Sequence, residues 1–357
     1  MTITKATLIT HPKSHQHVAP FPRPNLEAFE APLRLQMADR YLSMHAQTKN
    51  MERIKAPRAS QEDIMRVHTP YLYESVRLMA NLGGGNLGES AQASPDLFRN
   101  ALVSAGGAIH AAEYSLEHQD THPFSLMRPP GHHATRSNPG GLCFFNNIAI
   151  ATAKVKEERA IERISIVDFD DHYGNGTAEI FYADPSVQYI SIHEYDYENY
   201  GTGHYEELGF GDALGTNINI PLLDGASDTV YKAAFENIII PALKKYKPEM
   251  IAVSAGFDPH YADPVGNMNI DSSTFWDIGK KIRVIAKELD VKGSFTILEG
   301  GYNPLATGPS IVAYLLGLLG EEQPILEDQV AREAIEPLDK ANLDIIDQVV
   351  SIISRFW

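Results

Sequence analysis

A single cysteine, Cys143, stands in 357 residues. An intramolecular disulfide is therefore excluded, and so is a closed metal site built on several thiolates. Basic residues are also in short supply: 30 Lys and Arg against 46 Asp and Glu leave a formal charge of −16. That balance disfavours a nucleic-acid backbone as partner and suits cationic ones. No run of 18 or more apolar residues occurs, so no membrane span is expected. The first residues lack the apolar run of a secretory signal, and a cytoplasmic location is expected. Pro-rich linkers, low-complexity tracts and internal repeats are missing too, which argues for one domain. Hydrophobic residues, at 43%, suffice for a sizeable core. Oligomeric state is left open.

The first 55 residues read as irregular. They carry His11, His15 and His17, which fit a polar loop better than a metal site because no carboxylate or thiol sits at matching spacing. Thr69-Pro70 and Ser94-Pro95 each put a capping hydroxyl before a proline, predicting helices over 71–82 and 96–118. Between them, Gly83-Gly84-Gly85-Asn86 is a flexible loop without the Lys and following helix of a phosphate cradle. From residue 124 short apolar runs (124–127, 164–167, 187–190, 251–254, 295–298) alternate with helical stretches over 146–157, 228–245, 273–288 and 308–319. This pattern predicts an α/β fold: a mostly parallel central sheet flanked by helices over residues 1–320. Residues 321–357 read as a helical C-terminal extension packed on it.

Four chemically loaded segments follow the strand-like runs: Arg128-Pro129-Pro130-Gly131-His132-His133, Asp168-Phe169-Asp170-Asp171-His172, Gly256-Phe257-Asp258 and Gly300-Gly301-Tyr302. In an open parallel sheet, ligands bind beyond the carboxyl ends of the strands, so the four should converge. Asp170 and His172, two apart, can face the same way at a strand end. With Asp258 they offer three N/O ligands and leave a position open for water or substrate. Zinc leads for such a site; iron(II) and cobalt(II) stay open. The histidine pair supplies proton transfer, Tyr302 a donor for a developing oxyanion, and Asp168 a carboxylate to orient an imidazole. Gly300 and Gly301 are expected to leave room for the phenol to swing over the site. The inventory is that of a metal-dependent amide hydrolase. Cys143, with no base beside it in sequence, reads as a buried wall residue, and Phe144 and Phe145 read as core. His193, His204 and His260 are expected to make only local hydrogen bonds.

These motifs, with Tyr173-Gly174-Asn175-Gly176-Thr177 after His172, Ser254-Ala255 before Gly256 and Leu298-Glu299 before Gly300, closely resemble the histone deacetylase family of the arginase–deacetylase fold. The likeness runs over about residues 24–320, and Asn175 matches class II-like members. It implies zinc on Asp170, His172 and Asp258, His133 as general base and acid, His132 as its electrostatic partner, and Tyr302 as carbonyl clamp. It also implies a structural potassium near Asp168, Asp170, His172, Ser191 and Ile192, and a second monovalent site near Phe181, Asp184 and Val187. The implied activity is deacylation of acetyl-lysine in proteins; a small acylated amine such as an acetylpolyamine is the alternative, and a low-activity acyl-lysine binding module the second. The chain departs from the pattern along the substrate tunnel, beside Gly141. Leu142 stands where an aromatic wall is usual, the usual pair of phenylalanines is missing from 198–203, and Tyr200 is the candidate substitute. Val265 stands where polyamine-selective relatives carry a glutamate. Glu89 is the candidate for an acidic residue that grips substrate backbone.

Overall fold

The computed structural model describes residues 1–14, 16–19, 28–199, 201–326 and 335–356. Eight strands form one parallel sheet: β1 (Lys5–Thr10), β2 (Glu52–Lys55), β5 (Thr121–Ser125), β6 (Ile164–Asp168), β7 (Val187–Glu194), β8 (Asn217–Leu222), β9 (Met250–Ala255) and β10 (Gly293–Leu298). Their spatial order is β2-β1-β5-β10-β9-β6-β7-β8, and a two-stranded hairpin, β3 (Gly85–Asn86) with β4 (Gln92–Ala93), stands apart. The central strands are buried along their whole length, as their unbroken apolar runs require when both faces are covered by helices. One core cluster, around Val167, Ile190 and Val253, fills one face; a second, around Ile166, Tyr189 and Ala252, fills the other. Alternate residues of the same strands serve the two cores.

The N-terminal region is not irregular as expected. It holds β1, β2 and the helix Leu33–Met44. β1 pairs with β5 in the sheet interior, whereas β2 is a short, charged edge strand. Thr69 caps the helix Pro70–Asn81 through its hydroxyl, as read from the sequence. Ser94 does not cap the next helix, which runs Leu97–Glu117 behind Asp96; its hydroxyl lies 2.8 Å from His17 Nδ1. The glycine run is not a free loop, because Gly85 and Asn86 enter the hairpin. The predicted helix over 228–245 is a continuous turn sequence to Tyr246 with a π-helical stretch at Phe235–Ile239, just before Pro241, whose missing N–H cannot complete the α-helical ladder. The C-terminal helix Glu336–Ile353 lays Ile345, Ile346, Val349 and Ile353 into the first core cluster, and Asn342 accepts Leu223 N–H (2.7 Å) just past β8.

Candidate active site

The strands β5, β10, β9 and β6 are consecutive in the sheet and all parallel. Their carboxyl ends therefore open on one edge, and the segments that follow them bring His132–His133, Tyr302, Asp258 and Asp168–His172 together. The convergence follows from topology, not from local sequence.

Ligand atoms of Asp170, His172 and Asp258 lie within 4.8 Å of one another. His172 Nδ1 is 3.2 Å from Asp170 Oδ1 and 3.2 Å from Asp258 Oδ2. Backbone donors hold the carboxylates: Gly300 N–H donates to Asp170 Oδ2 (2.8 Å) and Asp171 N–H to Asp258 Oδ1 (3.1 Å). Burial opposes a charge on His172, yet its hydrogen bonds to Asp170 and Asp258 outweigh burial and raise its pKa. The donor set fits a divalent cation: two buried carboxylates face one imidazole, and a dication there would balance both charges. Gly300 lies directly against this centre. A Cβ on it would come within 2.1 Å of Asp258 Oδ2 and 2.6 Å of Asp170 Oδ2, so no other residue allows the β10 loop so close.

The two histidines have partners of opposite kind, a carboxylate for His132 and a neutral amide for His133. His132 Nδ1 lies 3.1 Å from Asp168 Oδ2, and Tyr189 OH donates to the same oxygen (2.9 Å). Burial works against charge on His132, but Asp170 and Asp168 prevail and push its pKa up to about 10. His133 Nδ1 lies 2.8 Å from Asn175 Oδ1, a neutral acceptor. Burial, followed by the nearby His132 and His172, presses the His133 pKa down to about 3. With Nδ1–H donated to the amide, Nε2 is the free basic atom. Gly141, at φ +51°, passes against this ring: a Cβ there would sit 2.3 Å from His133 Cδ2.

Tyr302 is buried, and burial raises its pKa well above that of a free phenol, so the hydroxyl stays protonated. Both ends of the Gly301–Tyr302 peptide group are fixed. Arg34 Nε donates to Gly301 O (2.6 Å), and Tyr302 N–H donates to Asp263 Oδ2 (2.6 Å). The Arg34 guanidinium also lies 4.7 Å from the Tyr302 ring centre. His133, His172, Asn175, Tyr302, Gly141, Leu142, Val265, Glu89 and Ser90 line one pocket of about 330 Å³.

Residues 28–318 match the family described as Histone deacetylase domain. The chain belongs to the histone deacetylase family. It is 35% identical over 262 residues to the histone deacetylase-like amidohydrolase of Pseudomonas aeruginosa, covering 73% of this chain and 69% of that one. It is 41% identical over 265 residues to a probable deacetylase of Methanothermobacter thermautotrophicus, covering 74% and 78%. A crystal structure of the HDA15 HD domain superposes with a TM-score of 0.87 at 27% identity, over 99% of this chain and 95% of that one. The large parallel sheet flanked by helices is thus the histone deacetylase fold, and hydrolysis of an acyl amide is the chemistry of the group. Among the described residues no helix is long and apolar enough to cross a membrane.

Within this deacetylase fold the remaining positions fall as follows. Asp168 and Ser191 are register partners on β6 and β7, and Ser191 Oγ lies 2.8 Å from His193 Nδ1. Phe181, Asp184 and Val187 are linked by backbone bonds, Asp184 N–H to Phe181 O (2.9 Å) and Val187 N–H to Asp184 O (3.1 Å). Leu142 stands on the pocket wall at φ 68°, its N–H donating to Ser90 O (3.0 Å). Tyr200 and His15 lie outside the described residues. Cys143, Phe144 and Phe145 are buried. His193 Nε2 lies 3.0 Å from Gly203 O.

Sequence reasoning missed four residues that hold this deacetylase centre. Arg34 and Asp263 fix the Tyr302 peptide, as above. Glu299 accepts the N–H groups of Gly131 (2.6 Å) and His132 (3.2 Å). Glu30 pairs with both Arg34 and Arg128. Each acts through backbone groups or partners far away in sequence. Glu299, and Arg128 as the partner of Glu30, do sit inside the motifs, and a buried charge so close to a ligand segment is the signal that could have flagged them.

Proposed function

We propose that this chain is a zinc-dependent deacylase that hydrolyses N-acetylated lysine side chains. The observation that carries the reading is an Asp–His–Asp donor set beside two adjacent imidazoles with different partners, a carboxylate for His132 and a neutral amide for His133. Asp170, His172 and Asp258 would hold zinc, which when bound polarises the acyl carbonyl and acidifies water. His133, neutral with Nε2 free, takes the proton of the attacking water and delivers it to the departing amine. His132, held by the Asp168 carboxylate, would offset negative charge that develops during attack. The Tyr302 phenol donates its hydrogen bond to the carbonyl oxygen as it becomes an oxyanion. By family likeness, a potassium ion would lie near Asp168, Asp170, His172, Ser191 and Ile192, and a second monovalent ion near Phe181, Asp184 and Val187.

A second reading, a small acylated amine as substrate, draws on Glu89. Glu89 lines the same pocket, and its negative charge would favour a second ammonium on the leaving amine. Val265, an apolar residue of the same lining, argues for the lysine side chain. Comparing kcat/KM for an acetyl-lysine peptide and for acetylspermidine on zinc-loaded protein tests the choice. A higher value for the peptide supports the proposal; a higher value for the polyamine replaces it with the second reading.

A further inference from the structure

The loop after Asp258 and the loop after β10 have no regular structure, yet together they place two walls of the reaction site. Val265 comes from the first and Tyr302 from the second. One half-buried carboxylate connects them. Asp263 Oδ1 accepts the N–H groups of Val265 (2.9 Å) and Gly266 (3.3 Å). Its Oδ2 accepts those of Tyr302 (2.6 Å) and Asn303 (3.0 Å). Asn303 Nδ2 adds a bond back to Ala262 O (2.8 Å). The far end of the Val265 loop is held separately, by Asp171, which accepts from Asn267 (3.1 Å) and Met268 (3.2 Å). Gly266 is pressed against the Asp258 backbone, where a Cβ would come within 2.1 Å of Asp258 O.

A carboxylate that takes four backbone donors divides them between its two oxygens, and each bond is strengthened by the charge. The division here is by loop, one oxygen for each. Rotation or translation of either loop must therefore drag the carboxylate and, with it, the other loop.

We propose that Asp263 is a positioning residue for the reaction: it joins the Val265 wall and the Tyr302 phenol into one unit with a fixed spacing. The inference rests on the reading of Tyr302 as oxyanion donor. Asp263 touches no reacting atom; it acts through the Tyr302 backbone. A shift of about 1 Å in a catalytic donor can lower turnover by about 10²-fold, so the effect should appear in kcat and leave KM little changed.

The test uses the zinc-loaded 357-residue chain and Asp263→Asn, whose NH₂ cannot accept and so deprives one loop of its partner. Hydrogen exchange by mass spectrometry follows segments 259–268 and 299–305, and kcat is measured in the wild-type and Tyr302→Phe backgrounds. Should Asp263→Asn fail to fold, Asp263→Glu, which keeps both oxygens on a longer arm, takes its place. The proposal expects faster exchange in both segments together, a kcat lower by about 10²-fold, and a far smaller cost once the phenol is gone. Faster exchange in only one segment overturns it. So does an equal loss of kcat in the two backgrounds, which would make Asp263 a general scaffold. Absence of turnover in the wild type would sink the deacylase reading instead, and the exchange data would then decide the coupling of the loops alone.

Discussion

Asn175 Oδ1 lies 2.8 Å from His133 Nδ1 and offers that imidazole a neutral partner, whereas Asp168 gives His132 a charged one. A neutral acceptor orients the ring without favouring its protonated form. Asn175→Asp would place an anion there, stabilise the imidazolium and raise the His133 pKa by about 1–3 units. Because the base must be unprotonated to accept a proton, the acidic limb of the kcat/KM profile should move to higher pH. A limb that stays in place would show that the pair does not govern the titration.

Glu30 makes a stability prediction. Its carboxylate lies 2.6 Å from Arg128 Nε and 3.1 Å from Arg34 Nη1, and all three side chains are buried. Burial opposes charge on Glu30, but the two guanidinium groups outweigh it and lower its pKa. Glu30→Gln leaves two buried cations without their anion, which costs about 3–5 kcal/mol. Urea unfolding monitored by circular dichroism should show that loss. A change under about 1 kcal/mol, typical of an exposed pair, would contradict it.

His122 gives the pH dependence of stability. It spans neighbouring strands, with Nδ1 3.0 Å from Ser294 Oγ and Nε2 2.7 Å from Thr296 Oγ1, and burial presses its pKa down to about 3 from 6.5. Below pH 6.5 the unfolded chain gains a proton here that the folded chain does not. Stability attributable to the neutral ring is therefore full above that pH and declines until the folded form titrates near 3. Burial lowers His17 and His68 to about 4, so they add to the same slope. His122→Gln should reduce the slope of unfolding free energy between pH 6 and 4.5 by about 1.4 kcal/mol per unit. An unaltered slope would mean that the ring is protonated in the folded state.

The parts of the fold that were legible in the sequence are those whose environment is uniform. β6, β9 and β10 are apolar throughout because helices cover both faces, and their runs stand out. The edge strands hide. β8 reads Asn-Ile-Asn-Ile-Pro-Leu, and Pro221 is tolerated there because an outermost strand has one side without a pairing strand. β2, Glu-Arg-Ile-Lys, is the other edge and carries charge on most positions, a pattern that blunts edge pairing and reads as loop. β1 was lost within a proline- and histidine-rich segment although it is interior.

The site was legible where ligand-type residues cluster in short motifs, as in Asp168–His172. It was not legible where a residue works through the main chain. Asp263 and Arg34 bracket one peptide group from positions 229 residues apart in the sequence, and only the fold makes them neighbours. The close approach of Gly300 to the carboxylates of Asp170 and Asp258 shows the same limit, because sequence alone does not bring the three together.

The central claim is that Tyr302 stabilises an oxyanion during hydrolysis beside a metal held by Asp170, His172 and Asp258. Its most direct test is the turnover of a fluorogenic acetyl-lysine peptide by zinc-loaded wild type and Tyr302→Phe, with zinc content measured on both. The account predicts equal zinc content, little change in KM and a kcat lower by about 10²–10³-fold in the variant. Equal kcat in the two proteins would contradict it.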